Sequence, residues 1–388
     1  MKRVFHLAGL NVALLLIVAL AAQARSARLS DFATGPVFDS RFAFDGKRLL
    51  TAEPGPTLWD MTTGQPLQVF HGHTDEVQAV AFSPDGRQVL TGAGHSVIPP
   101  KDTSIRLWDA DTGMELRRFE STSSVGRLQF SPDGTRVFSI AGRGAEVWDV
   151  HTGRQVLAVA GGRLFSLDGR RLLGTNDKGT IVTSYGPGGQ ALCTIPIPAA
   201  PVFSTQFSQF SPDASLVVIP GPGTTRTWDA ETCRPVQVFA GDTVYVVQAS
   251  FIAGGRSIIT ASLDRSARLW DARSGRELRR YEHPGGVEAM LVSRDGTRLL
   301  TRWAFPPDYP EDSHGQGGCA SLWDVESGRE IRRFCPELDK VGLGISWQRN
   351  GLVGFSPDGG SIAVVTPSGI PAALFNAHTG ELIRQYRR

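Results

Sequence analysis

Charge of one sign is missing from this chain. Lys and Arg total 40 against 38 Asp and Glu, and setting aside Lys2 and Arg3 of an acid-free N-terminal segment leaves 38 against 38. A general nucleic-acid or anionic-membrane binder needs a basic excess, so neither partner class is expected. Signatures of enzyme chemistry are missing too. There is no His-Glu-x-x-His, no Gly-x-Ser-x-Gly, no phosphate-loop Gly-Lys-Ser/Thr and no Cys-x-x-Cys-His. No cofactor and no metal are expected; His71-x-His73 reads as one exposed and one structural histidine rather than a ligand pair. Long apolar runs are confined to one place, Leu10 to Ala22.

That run reads as a secretory signal. Lys2 and Arg3 precede it, and Ala22-Gln23-Ala24 is a small-residue cleavage pattern. Residues 1–24 are expected to be removed, residues 25–36 to form a short N-terminal segment, and residues 37–388 to be the folded domain. The mature chain is then exported, periplasmic or extracellular, and does not insert in a membrane. The alternative is an uncleaved anchor, because Val4 to Ala24 almost spans a bilayer.

What is abundant is periodicity. Trp-Asp recurs at Trp59, Trp108, Trp148, Trp228, Trp270 and Trp323. Thr-Gly or Ser-Gly follows in five of the six, and Thr232-Cys233 replaces it once. Between these pairs stand Phe-Ser-Pro-Asp-Gly turns, clearest at Phe82, Phe130 and Phe355. Two interleaved markers at one period mean a repeat array. The chain resembles the WD40 family over nearly its whole mature length. The resemblance implies an all-β fold, a single β-propeller of four-stranded blades, with strands a to d in each.

Counting both markers gives eight units, with seven as the alternative. Tyr185-Gly186 and Phe375-Asn376 stand in for two of the Trp-Asp pairs. The last unit brings its own strand d, Glu381 to Tyr386. Closure is therefore expected from side-chain packing between first and last units, with Arg25 to Gly35 as an extra edge strand.

The family's stapling network of Trp, Ser/Thr, Asp and His is complete once, as Trp108, Thr91, Asp102 and His73. In the sixth unit Asp242 takes the His position. In the seventh Gly317 takes the Asp position. The network is expected to satisfy buried polar groups within a sheet, not to act as a catalytic triad.

The largest departures from the repeat are two connections: Trp303 to Gly318, between strands b and c of unit seven, and Pro336 to Asn350. In this fold both emerge on one face. They hold the two Trp that the repeat does not use, Trp303 and Trp347. Trp303, Tyr309 and Trp347, with Asp308 and Glu311, are the expected partner-binding patch.

Four cysteines lie in the exported part, and an oxidising compartment permits two disulfides. Cys319 and Cys335 fall nearly opposite each other across a c–d hairpin. Cys193 and Cys233 belong to neighbouring units. The expected function is a non-enzymatic, monomeric scaffold that binds a protein or peptide through the b–c/d–a loop face. The alternatives are a quinoprotein-like dehydrogenase and a purely structural domain. The dehydrogenase type places a further Trp after Thr-Gly, where this chain has Phe70, Phe119, Val159, Phe239, Tyr281, Phe334 and Tyr386.

Overall fold

The structure, a computed structural model, describes residues 42–52, 55–94, 100–142, 144–166, 168–176, 180–197, 208–304, 318–334, 352–356, 358–365 and 371–385. The N-terminal segments 1–24 and 25–36 lie outside them. Among the described residues no α-helix occurs, and no helix is long and apolar enough to cross a membrane. The protein is all-β, built of antiparallel sheets.

Each sequence unit forms four antiparallel strands in chain order, as in Val77–Phe82, Gln88–Ala93, Ser104–Asp109 and Glu115–Glu120 of unit two. Units five and six are fused. One strand, Pro235–Ile252, pairs with Pro222–Asp229 through its first part and with Ser257–Ser262 through its last.

The turn markers act through short-range hydrogen bonds. Ser83 Oγ donates to Asp85 Oδ1 at 2.6 Å, Asp85 Oδ1 accepts Arg87 N–H at 3.0 Å, and Gly86 takes φ +69°. A left-handed residue here closes a tight hairpin. The Asp of Trp-Asp caps the next turn: Asp109 Oδ1 accepts from Thr112 N and Oγ1, both at 2.8 Å. These bonds hold its carboxyl below the usual range.

The aromatic before that Asp occupies one equivalent position throughout. A register shift falls immediately before Trp59, Trp108, Trp148, Tyr185, Trp228, Trp270, Trp323 and Phe375 in their c–d pairings. A bulge bends its strand and re-aims the side chain. The re-aimed aromatic meets the last buried residue of the preceding unit's strand d. Phe70–Trp108, Phe119–Trp148, Phe239–Trp270 and Tyr281–Trp323 have ring centroids 5.6, 5.9, 6.0 and 5.6 Å apart.

Consecutive units thus share apolar clusters across each seam. Leu58 and Phe70 meet Val77 and Trp108; Leu322 and Phe334 meet Ile362 and Phe375. The first and last units close on each other, with Leu49, Met61 and half-buried Trp59 against Ala363 and Leu374.

Candidate functional site

The polar staple of unit two is assembled from two strands and two connections. Trp108 Nε1–H donates to Thr91 Oγ1 at 2.8 Å. Thr91 Oγ1 and His73 Nε2 are 2.7 Å apart, and His73 Nδ1 and Asp102 Oδ2 are 2.9 Å apart. Asp102 also accepts from Ser104 N, Ser104 Oγ and Thr74 N. Burial pushes its carboxyl up, but the bonds from Ser104, His73 and Thr74 outweigh this and hold it well below the usual carboxylate range. Burial lowers the His73 pKa although Asp102 pulls it up. A neutral imidazole then gives its Nδ1–H to Asp102 and accepts the Thr91 hydroxyl proton at Nε2, a tautomer assigned from the network. Thr91 is fully buried and spends its hydroxyl on Trp108 and His73. It presents no nucleophile to a substrate.

Other units keep part of this chain. Trp59–Thr51, Trp148–Ser139, Trp270–Thr260 and Trp323–Thr301 are bonded at 3.0, 3.2, 3.0 and 2.9 Å. In unit seven His283 Nε2 lies 2.7 Å from Thr301 Oγ1, while its Nδ1 has no partner among the described residues. Burial lowers its pKa to about 4. In unit six the carboxyl of Asp242 replaces the imidazole. Arg268 Nε stands 3.2 Å away but donates to Ser266 Oγ instead, so neither Asp242 oxygen has a hydrogen bond among the described residues. Burial raises the Asp242 pKa to about 6, against the pull of Arg268. Unit three, which the sequence reading missed, uses Glu146: its Oε2 accepts from Ser121 Oγ at 2.7 Å and Ser139 Oγ at 3.1 Å. The signal was a Glu two residues before Trp148, on the same face of strand c.

The structure corrects the partner-binding patch at Trp303. Strand b of unit seven runs on to Ala304, pairing Trp303 with Cys319 and Ala304 with Gly318. The extension draws Trp303 into the sheet. It is fully buried beside Ala267, Tyr281 and Cys319, and its N–H donates to Ser321 Oγ at 3.1 Å. It is a packing residue and offers no surface to a partner. Asp308, Tyr309, Glu311 and Trp347 lie outside the described residues, as does Gly317.

Cys193 and Cys233 form a disulfide with Cα atoms 5.7 Å apart. Cys319 is disulfide-bonded as well; Cys335 lies outside the described residues. The Cys193–Cys233 pair has counterparts at other seams. Gln68, Arg117, Leu157, Gln237, Arg279 and Arg332 of strand d each lie against the turn glycine of the next unit, at Gly113, Gly153, Gly189, Gly275, Gly328 and Gly380. Cys193 and Cys233 fill those two positions between units four and five. Among the described residues no group of three or more His, Cys, Asp or Glu side chains is placed to hold a metal ion.

Repeated four-stranded units, an aromatic at each bulge and a hydroxyl under most of the indoles define a stapled repeat protein of antiparallel sheets. The family model "WD domain, G-beta repeat" matches residues 64–109 and 233–271, and the chain carries WD40 repeats. It is similar to eukaryotic translation initiation factor 3 subunit I of Coccidioides immitis (strain RS), 31% identical over 102 residues, 26% of this chain and 28% of that protein. It is also similar to autophagy-related protein 16 of Arabidopsis thaliana, 24% identical over 248 residues, 61% of this chain and 47% of that one. Nuclear distribution protein PAC1 of Arthroderma benhamiae (strain ATCC MYA-4681 / CBS 112371) is 26% identical over 303 residues, 72% of this chain and 56% of that one. The chain thus spans about half or less of the length of these relatives. Among solved structures, the computationally designed Ika8 protein has TM-score 0.63 at 21% identity, covering 88% of this chain and 97% of that one. The C-terminal WD40 domain of Sif2 has TM-score 0.55 at 20% identity, covering 85% and 90%. These two likenesses concern the fold.

Proposed function

We propose that this protein is an exported, non-enzymatic scaffold: a closed ring of eight four-stranded blades that binds a protein or peptide on its b–c/d–a loop face. The observation that carries this reading is where the buried polar groups are spent. His73, Asp102, Glu146 and Thr301 spend their polar atoms on hydrogen bonds that hold strands and connections together inside the sheets. A ring held in this way can present variable loops without cost to its core. The eight-blade count is supported by eight four-stranded units and by the packing of Leu49 and Met61 on Ala363. Export is supported by the signal-like N-terminus and by cysteines joined in disulfides. One of the similar proteins carries "subunit" in its name, which accords with a role in an assembly.

With Trp303 inside the core, the contact residues of this proposal are Asp308, Tyr309, Glu311 and Trp347. The test is affinity capture from an envelope extract, followed by titration of the identified partner. A chain shortened across residues 305–317 and Trp347→Ala are the comparators. An anchor residue should cost about 2 kcal/mol or more of binding, roughly a thirtyfold rise in Kd, at unchanged melting temperature. Equal affinity of all three proteins would remove the loop face from the reading.

A further inference from the structure

We propose that the Cys193–Cys233 bridge is a redox latch on the seam between units four and five, and that reduction makes this sector open before the rest of the protein.

The latch sits on the seam with the least internal stapling. Five of the six Trp-Asp tryptophans donate to a hydroxyl of their own sheet. Neither sheet at this seam repeats that bond: unit four has Tyr185 in place of Trp, and the unit-five residue at the hydroxyl position is Ile219, paired with Arg226 as Thr91 is with Arg106. The Thr225 and Thr227 hydroxyls are buried without a partner among the described residues. Sectors with few internal bonds open at lower free energy than the whole.

The bridge pins a turn that keeps the usual cap, Asp229 Oδ1 accepting from Thr232 N and Oγ1, but carries a strained residue. Its left-handed position is glycine at the equivalent turns, but here Cys233 sits at φ +54°. A side chain disfavours that conformation. Around the bridge, Ser184 Oγ donates to Ala230 O, and Arg171 reaches Glu231 at 3.2 Å. These contacts would keep the cysteines near each other after reduction, so the latch can close again. The chemistry is thiol–disulfide exchange. A dithiol reductant attacks one sulfur and forms a mixed disulfide, and its second thiol releases the cysteine. Two electrons and two protons pass to Cys193 and Cys233, and the reductant becomes a disulfide. Cys193 is only partly buried, which gives a reductant access.

The experiment is hydrogen exchange on the full chain, oxidised and after dithiothreitol, with alkylation to verify that both thiols were freed. Cys193→Ser/Cys233→Gly, read without reductant, removes the bridge and the backbone strain while leaving the Cys319 bridge intact. Peptides covering 172–196 and 209–240 should exchange at least tenfold faster in both cases, with 104–149 unchanged. Cys193→Arg/Cys233→Gly, which copies the Arg117–Gly153 contact, should restore part of the protection. Unchanged exchange with both thiols alkylated, or faster exchange spread evenly over all sheets, would overturn the latch.

Discussion

The indole N–H of Trp108 and the imidazole of His73 never touch as a hydrogen-bonded pair; both end on the one hydroxyl of Thr91, at 2.8 and 2.7 Å. Thr91→Val keeps the shape and orphans two buried groups at once. Each orphan costs about 1–3 kcal/mol, so the variant should lose on the order of 2–6 kcal/mol. Thr51→Val, which orphans only half-buried Trp59, should lose distinctly less. Urea unfolding of the two variants side by side checks the difference.

Asp242→His should stabilise the protein. Thr260, Trp270 and Asp264 already stand where Thr91, Trp108 and Asp102 stand, and the substitution supplies the missing imidazole. Exchanging a buried carboxyl without hydrogen bonds for a bonded ring should raise stability by about 1–3 kcal/mol. A lower melting temperature at pH 7 would show that the two units are not equivalent at this position.

Asp242 also sets a pH dependence of definite sign. Its folded pKa of about 6 lies above the unfolded value, so the folded state holds the extra proton between roughly pH 4 and pH 6. Its favourable contribution is complete below pH 4 and is lost as pH rises through 6. Relative to Asp242→Asn, the wild type should lose on the order of 2–3 kcal/mol across that window. Parallel stability curves for the two proteins from pH 4 to 7 would contradict the assignment.

Trp303→Ala should behave as a core deletion. A large buried aromatic replaced by Ala costs about 3–5 kcal/mol, and the Ser321 hydroxyl loses its donor. Binding of any loop-face partner, measured well below the melting temperature, should be unaffected.

Gly328 and Gly134 separate two reasons for a turn glycine. Both have positive φ, +73° and +71°. A Cβ at Gly328 would meet Arg279 Cδ at 2.6 Å, whereas at Gly134 the nearest atom is 3.7 Å away. Gly134→Ala should cost only the left-handed penalty, about 1–2 kcal/mol. Gly328→Ala should cost more, because Arg279 must leave the turn. Calorimetry of both variants measures the extra term.

The repeat was legible because its markers are chemical necessities. Asp-Gly closes a hairpin, Asp caps the following turn, and a Trp at the bulge fills a seam. Each requires a particular residue type, so each leaves a readable letter. Trp303 was misread because a tryptophan beside Pro306-Pro307 looks the same whether its strand stops before it or runs past it. Only the pairing of Ala304 with Gly318 decides. The disulfide seam left a faint trace, Cys233 where Thr-Gly was due. Its meaning required knowing that strand d of one unit lies over the turn of the next, which sequence periodicity alone does not state. Glu146 was missed for a related reason: it reaches the staple from strand c, where no family letter was awaited.

The strand Pro235–Ile252 passes from one sheet to the next without a loop, and Tyr245 pairs back with Pro222. Elsewhere a connection can lengthen by insertion while the sheets stay as they are. Here only residues 241–244, between the pairings Thr224–Ala240 and Pro222–Tyr245, separate the two ladders, and a residue added on either side of them shifts a ladder's register and turns its inward-facing side chains outward. These two sheets are therefore mechanically one beam. A force or a mutation that frees one should free its neighbour, and diversification of the loop face must bypass this spoke.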